Sequence, residues 1–339
     1  MANGWGDSAK TTTTPTKTNA PVDRGASIVY DRAYYLKQFT SGVSNATTYR
    51  MALVGHENTA KTGLAASLLH KEIMAGETVF VFDVDNSARS TLDFVYPDRE
   101  NLKVLPLLDE MDDSIFHEDN SINYNALIEK TKYYINIIGD LANEGHVAGV
   151  IFDGGSTFLK WCEFAMRAAL LAKGVIENED DSFNQKEWRE RNRMNRDVIT
   201  RIHALPVEKI FFCYHLKAIQ QFMDDGTGKK VLMAIGERPD WEKGTMRKFS
   251  QQIFLSRYMT KADMAAGVKG DRSLKENEWV VRGIVEEMKG DYMEYVGSRH
   301  DILRVNNGEV SWYGLPFLED IEEAASEEPE SESENTDES

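Results

Sequence analysis

Eight consecutive residues in this sequence have the types and spacing to hold phosphates: Gly55-His56-Glu57-Asn58-Thr59-Ala60-Lys61-Thr62. Backbone N–H groups of such a loop, and of a helix that starts at its end, converge on one anion. The helix dipole favours negative charge there. Lys61 then reaches the outer phosphates of a nucleotide, and the Thr62 hydroxyl takes a position on Mg²⁺. The expected binding segment runs from Gly55 to Gly63. One residue departs from G-x-x-x-x-G-K-[ST]: Ala60 stands where the pattern asks for glycine. Alanine lacks glycine's freedom at positive φ and carries a methyl toward the phosphates, so weaker binding is expected.

Three further side chains have chemistry to offer. Val150-Ile151-Phe152-Asp153 is an apolar run closing on a carboxylate, the arrangement that holds Mg²⁺ beside a phosphate loop. Val79-Phe80-Val81-Phe82-Asp83 runs into Asp85, which can orient or deprotonate the water that attacks a γ-phosphate. On the other reading Asp83 and Asp85 cap the turn and a helix starting near Ser90. Lys209 to Tyr214 is a third apolar run, and it delivers His215. That histidine either senses the γ-phosphate or is satisfied by local backbone.

These residues need elements that bring them to one place. Tyr49 to Val54 is a short apolar run of strand length. Beyond the loop, Leu64, Ala65, Leu68, Leu69, Ile73 and Met74 recur at helical spacing as far as Gly76. Strand, loop, helix is the order a phosphate loop requires. Strands apolar throughout and ending in polar groups predict a parallel sheet buried on both faces. A helix is predicted over 122–143, and further strands between Trp279 and Tyr313.

The acid is unevenly spread. The chain has 339 residues and a formal charge of −17, and eleven acidic residues without a single cation lie in 319–339. Without them the balance is −6. That tail cannot bury apolar area and is expected to be disordered. It serves as a solubiliser, as an autoinhibitor competing with a polyanion, or as a docking peptide for a single-strand binding or replication protein. Residues 1–26, with Thr11-Thr12-Thr13-Thr14-Pro15, read as a second disordered arm. A folded body over 27–318 remains. No run approaches 18 uncharged apolar residues and the start lacks an apolar signal core, so a cytoplasmic protein without a membrane partner is expected. Two cysteines, Cys162 and Cys213, exclude a disulfide framework.

The order of parts resembles the RecA-like recombinase core: phosphate loop, a second strand with its acid, Asp153, and the sensor segment from Phe211 to Lys217. A closer resemblance is to the compact RecA-like ATPases of phages, the Sak-type single-strand annealing proteins. It rests on Asp85-Asn86-Ser87-Ala88-Arg89-Ser90-Thr91-Leu92, on His215-Leu216-Lys217, and on Arg247-Lys248-Phe249 with Phe254-Leu255-Ser256-Arg257-Tyr258. It spans about residues 49 to 300. Besides Ala60, His215 departs from it, standing where RecA proper has glutamine.

The resemblance implies an α/β fold, with a mainly parallel twisted sheet, helices on both faces and antiparallel strands toward the C-terminus. It implies an ATPase that uses ATP and Mg²⁺ and assembles as a ring or filament of identical subunits on single-stranded DNA in recombination. Lys61, Asp85, Asp153 and His215 would be its catalytic groups. Its DNA loops lie near Ile219 to Ile235, which reads as a β-hairpin around Asp224 to Gly228. Lys217, Lys229, Lys230, Arg238, Lys243, Arg247 and Lys248 surround it, with Phe222 and Trp241 among them. Cations that follow a backbone and aromatics that stack bases suit single strands. The basic run Lys186 to Arg196 has interleaved acids and reads as a solvated helix face. Arg257 and Arg299 are candidates for an arginine finger into a neighbouring subunit, or surface ion pairs. The rival functions are a packaging or helicase-like motor, a nucleotide-gated binding module with negligible turnover, and a scaffold with a dead phosphate loop.

Overall fold

Five apolar runs form parallel neighbours in one sheet: β1 (Tyr49–Gly55), β2 (Val79–Asp83), β3 (Leu102–Pro106), β4 (Gly149–Asp153) and β5 (Lys209–Tyr214). The computed structural model describes residues 49–318, apart from 179, 183–185, 225, 227–228, 266 and 289–292. The arm expected over 1–26 and the acidic tail expected over 319–339 lie outside the described residues.

Six helices are described: α1 (Lys61–Ser67), α2 (His70–Ala75), α3 (Ala88–Val95), α4 (Tyr124–Asn143), α5 (Gly155–Ala172) and α6 (Trp188–His203). The remaining strands are β6 (Leu216–Asp224), β7 (Lys230–Pro239), β8 (Gln251–Met259), β9 (Val268–Gly270), β10 (Glu278–Met288), β11 (Arg299–Asn306) and β12 (Glu309–Trp312). Among the described residues ten strands share one sheet, in the order β12-β11-β10-β8-β1-β5-β4-β2-β3 with β9 on β8. β8 runs parallel to β1, and β10 to β12 are antiparallel, as expected for the C-terminal strands. No helix among the described residues is long and apolar enough to cross a membrane. Cys162 and Cys213 are free and buried.

The two-residue period of a strand assigns each side chain to one face. Met51, Leu53, Val79, Val81, Ile151, Phe211 and Cys213 enter one apolar cluster, with Leu64 and Leu69 around α1 and Leu92 of α3. The alternate residues Ala52, Val54, Phe82, Val150, Phe152, Ile210 and Phe212 enter a second, with Ile135 of α4, Phe158 of α5 and Ile202 of α6. The central strands are therefore apolar on both faces because helices cover both. Lateral register then aligns the chemistry: Asp83 pairs with Asp153, and Asp153 with Cys213, at one edge of the sheet. Gly55 leaves β1 at the same edge, because Leu53 pairs with Cys213.

Several elements differ from expectation. The helix after the loop is broken at Leu68–Leu69. The Ala66 carbonyl accepts from the Tyr96 hydroxyl at 3.2 Å and from Leu69 N–H at 3.1 Å, so it does not serve the next helical turn. β3 and β8 were not legible as strands. β8 buries Gln251, Gln252 and Ser256, and polar residues hide its period. Gln252 is satisfied by the Met246 carbonyl and Glu287.

The hairpin is present and longer than predicted. β6 and β7 pair antiparallel, with a bulge at Ile219/Gln220, as a two-stranded ribbon outside the main sheet. Its turn residues Asp225, Thr227 and Gly228 lie outside the described residues.

Candidate functional site

The loop between β1 and α1 is shaped by close backbone approach. A Cβ on Gly55 would meet Thr59 Oγ1 at 2.4 Å and the Leu255 carbonyl oxygen at 2.8 Å, so only glycine fits there. Asn58 and Ala60 both adopt left-handed backbone, at φ 58° and 57°. Alternating hands turn successive N–H groups into one concavity, a nest for an anion. Ala60 thus takes the glycine conformation without being glycine, at a cost of about 1–2 kcal/mol. Ala60→Gly is expected to raise unfolding stability by about 1 kcal/mol, part of the relief being offset by the freer unfolded chain. A denaturant melt showing no gain would refute the strain.

Lys61 is buried, and its Nζ donates to the carbonyls of Gly55 (3.1 Å) and His56 (2.7 Å). Burial lowers its pKa, against the pull of Asp153, Asp85 and Glu57. The ammonium therefore spans the loop and can exchange these neutral acceptors for a phosphate oxygen. Thr62 Oγ1 donates to Asp153 Oδ2 at 2.6 Å. Asp153 is 4% exposed, and burial pushes its carboxyl up to about 6. A desolvated carboxylate and a hydroxyl in contact are hard oxygen donors of the kind Mg²⁺ takes, so these residues fit that ion.

Asp83 and Asp85 part company. Asp83 accepts from the N–H groups of Ser87 (2.9 Å), Ala88 (3.1 Å) and Arg89 (3.4 Å), and so caps α3. Asp85 faces the cleft, where the Ser87 hydroxyl donates to Oδ1 at 2.8 Å and His215 Nε2 stands 3.7 Å from Oδ2. Burial works to raise Asp85, yet His215 and Ser87 hold it below its ordinary value. The capping reading is right for Asp83, while Asp85 is free to meet a ligand. The three carboxylates lie within 4.8 Å of one another.

A cleft of about 480 Å³ collects Glu57 to Gly63, Asp85, Asp153 and His215. Lys61, Thr62, Asp85, Asp153 and His215, singled out from sequence, thus share one site. Gly55 and His56 do not line it, and the His56 ring is turned toward β7. Arg257 lines the adjoining cleft beside Glu57 and Asp85 of its own chain, with its guanidinium 4.3 Å from the Trp279 ring centre. Arg299 is exposed on β11, away from this site.

The nucleic-acid candidates divide. Lys217, Arg238 and Lys243 line a cleft of about 810 Å³ with Trp188, Arg191 and Trp241. Lys217 pairs there with Asp240. The basic run of α6, read as a solvated face, is one wall of this cleft. Arg191 stacks on Trp188 at 4.3 Å, while Arg193 pairs with Glu190 as a solvated face would. Lys229 and Lys230 are exposed near the far end of the ribbon, and Arg247 and Lys248 do not line the cleft. Lys248 Nζ donates to Thr200 Oγ1 at 2.6 Å.

Two residues of the site escaped sequence reasoning. Ser156 accepts from His215 N–H at 2.9 Å and donates to the Asp240 carbonyl at 2.8 Å, tying β5 to the chain that leaves the ribbon. Its position just after Asp153-Gly154-Gly155 was the available signal. Trp312 of β12 packs over Gly63, where a Cβ would meet its ring at 3.2 Å. No local signal marks that contact, which spans most of the chain. No family model matches the chain, and no curated protein matches it.

Proposed function

We propose that this chain is a RecA-like ATPase that binds Mg·ATP at Gly55–Gly63 and acts on single-stranded DNA in recombination. The observation that carries the nucleotide reading is the Thr62–Asp153 hydrogen bond beneath a loop with two left-handed residues. It joins the metal-binding hydroxyl to a buried carboxylate next to an anion nest. In this reading Lys61 binds the outer phosphates, and Thr62 and Asp153 hold Mg²⁺, which supplies charge neutralisation when bound. Asp85, ionised and facing the cleft, orients the attacking water and accepts its proton. β5 lies between β1 and β4, so His215 emerges between the loop and Asp153, as a phosphate sensor requires.

DNA binding is supported by the cleft that joins two tryptophans to Arg191, Lys217, Arg238 and Lys243. Aromatic faces and cations suit single strands without sequence preference. A second reading, a nucleotide-gated binder with negligible turnover, is favoured by the strain at Ala60.

One assay tests both: ATP turnover with and without a single-stranded oligonucleotide, beside its binding over a salt series. Turnover is expected to rise with the oligonucleotide. Arg238→Ala with Lys243→Ala is expected to weaken binding and to flatten the salt slope by about 1.4, two phosphate contacts being lost. ATP binding without turnover would select the gated binder. An unchanged salt slope would remove the cleft as the DNA site.

A further inference from the structure

Three elements meet on one side chain of the phosphate loop. His56 Nε2 lies 2.7 Å from Glu237 Oε1 on β7, and the His56 side chain is only 13% exposed. Behind it the ring lies against Gly267, which leads into β9. A Cβ on Gly267 would meet His56 Cδ2 at 2.4 Å, and its φ of +77° also favours glycine. The backbone of the same residue is held from the other direction. The His56 carbonyl accepts from Lys61 Nζ at 2.7 Å and from Thr59 Oγ1 at 2.8 Å. One peptide therefore links the phosphate-seeking lysine to the ribbon.

The ribbon has few other holds. Phe222, Leu232 and Ile235 are all about half exposed or more, so little apolar burial fixes it. Two-stranded ribbons are marginal by themselves. The β6 end follows His215, which faces Asp85 at 3.7 Å. Asp240, just past the β7 end, donates its N–H to the His215 carbonyl at 2.8 Å. Both strands of the ribbon thus meet, at its base, residues of the nucleotide cleft or its edge.

Resting on the reading of the loop as a phosphate site, we propose that His56 is a positioning residue that couples occupation of the loop to the placement of the β6–β7 ribbon through its hydrogen bond to Glu237. A phosphate oxygen is a stronger acceptor for an ammonium group than a peptide carbonyl. Phosphate binding draws Lys61 Nζ from the His56 carbonyl and removes one of the two hydrogen bonds that orient this peptide. The imidazole moves with the peptide, and Glu237 passes the shift to β7. A ligand biases two states only by contacting them differently, and Lys61 makes that difference here.

The test is made on the full chain with Mg·ATP, by titration calorimetry and by hydrogen exchange over residues 216–239 on the same samples. In the parent, nucleotide is expected to change ribbon exchange by about fivefold or more, the lower end of ordinary coupling between sites. Glu237→Leu removes the acceptor at a position 44% exposed, where the fold tolerates it. It is expected to bind nucleotide like the parent and to lose the exchange response. Glu237→Gln keeps an oxygen that accepts from Nε2–H, and is expected to retain the response. A purely structural role for Glu237 would shift exchange equally with and without nucleotide. A parent-like response in Glu237→Leu overturns the proposal, as does a parent that binds nucleotide without any ribbon response. If the parent binds no nucleotide, calorimetry shows it directly, and the reading of the loop falls together with the coupling.

Discussion

Lys61→Ala is expected to weaken Mg·ATP binding by about 100-fold, because a charge-assisted hydrogen bond to phosphate in a desolvated site contributes up to about 3 kcal/mol. The side chain is buried at the carboxyl edge of the sheet, and its ammonium donates to two loop carbonyls that a phosphate oxygen would replace in the proposed complex. Alanine leaves those carbonyls facing a cleft wide enough for water, so the cost to the fold is small. The thermal midpoint should move by no more than about 4 °C, the shift expected for 1 kcal/mol in a domain of this size. Calorimetric titration and far-UV circular dichroism check the two halves. Parent-like affinity in a folded variant would refute the phosphate role of Lys61, and the site with it.

Asp153→Asn should have opposite effects on stability and function. Burial raises the Asp153 carboxyl from 3.8 to about 6, so the metal-free fold holds its proton more tightly than the unfolded chain does. Below about pH 4 the group is protonated in both states and costs nothing. Between about pH 4 and 6 the unfolded chain ionises while the folded group keeps its proton, so stability falls by about 3 kcal/mol, at about 1.4 kcal/mol for each pH unit that separates the folded from the unfolded value, and above about 6 the loss is complete. Asparagine keeps an acceptor for Thr62 Oγ1 and never ionises. Denaturant melts in a chelator should therefore find the variant more stable than the parent at pH 7.5, with the gap closing toward pH 4. Mg²⁺ should stabilise the parent alone, because it binds the folded state through the ionised carboxylate. A variant no more stable than the parent at pH 7.5 would show that Asp153 is not a strained, cation-seeking group.

The succession of β1, loop and α1 was legible, since apolar period, glycine and lysine spacing act over a few residues. So were Asp153 at the end of β4 and the antiparallel pairing of the ribbon. Ala60 was legible as an anomaly, but its left-handed backbone was not, because the surrounding loop imposes that conformation. The division between Asp83 and Asp85 was open in the sequence, for both follow an apolar strand. It was decided by the start of α3, whose N–H groups occupy Asp83 and leave Asp85 to the cleft.

Taken alone, the sequence determined the succession of strand, loop and helix from Tyr49 to Ser67, because backbone dihedrals and side-chain period are local. It determined the charge-bearing groups at the strand ends for the same reason. Only the tertiary structure decided which of these groups meet. Sheet order sets β5 and β8 on either side of β1, and packing on both faces sets that order. From it follow the break in the helix at Leu68–Leu69, the joining of α6 to the ribbon base in one cleft, and the contact of His56 with Glu237 across 181 residues. Such contacts form between surfaces that the chain brings together only on folding, so no short-range pattern can encode them.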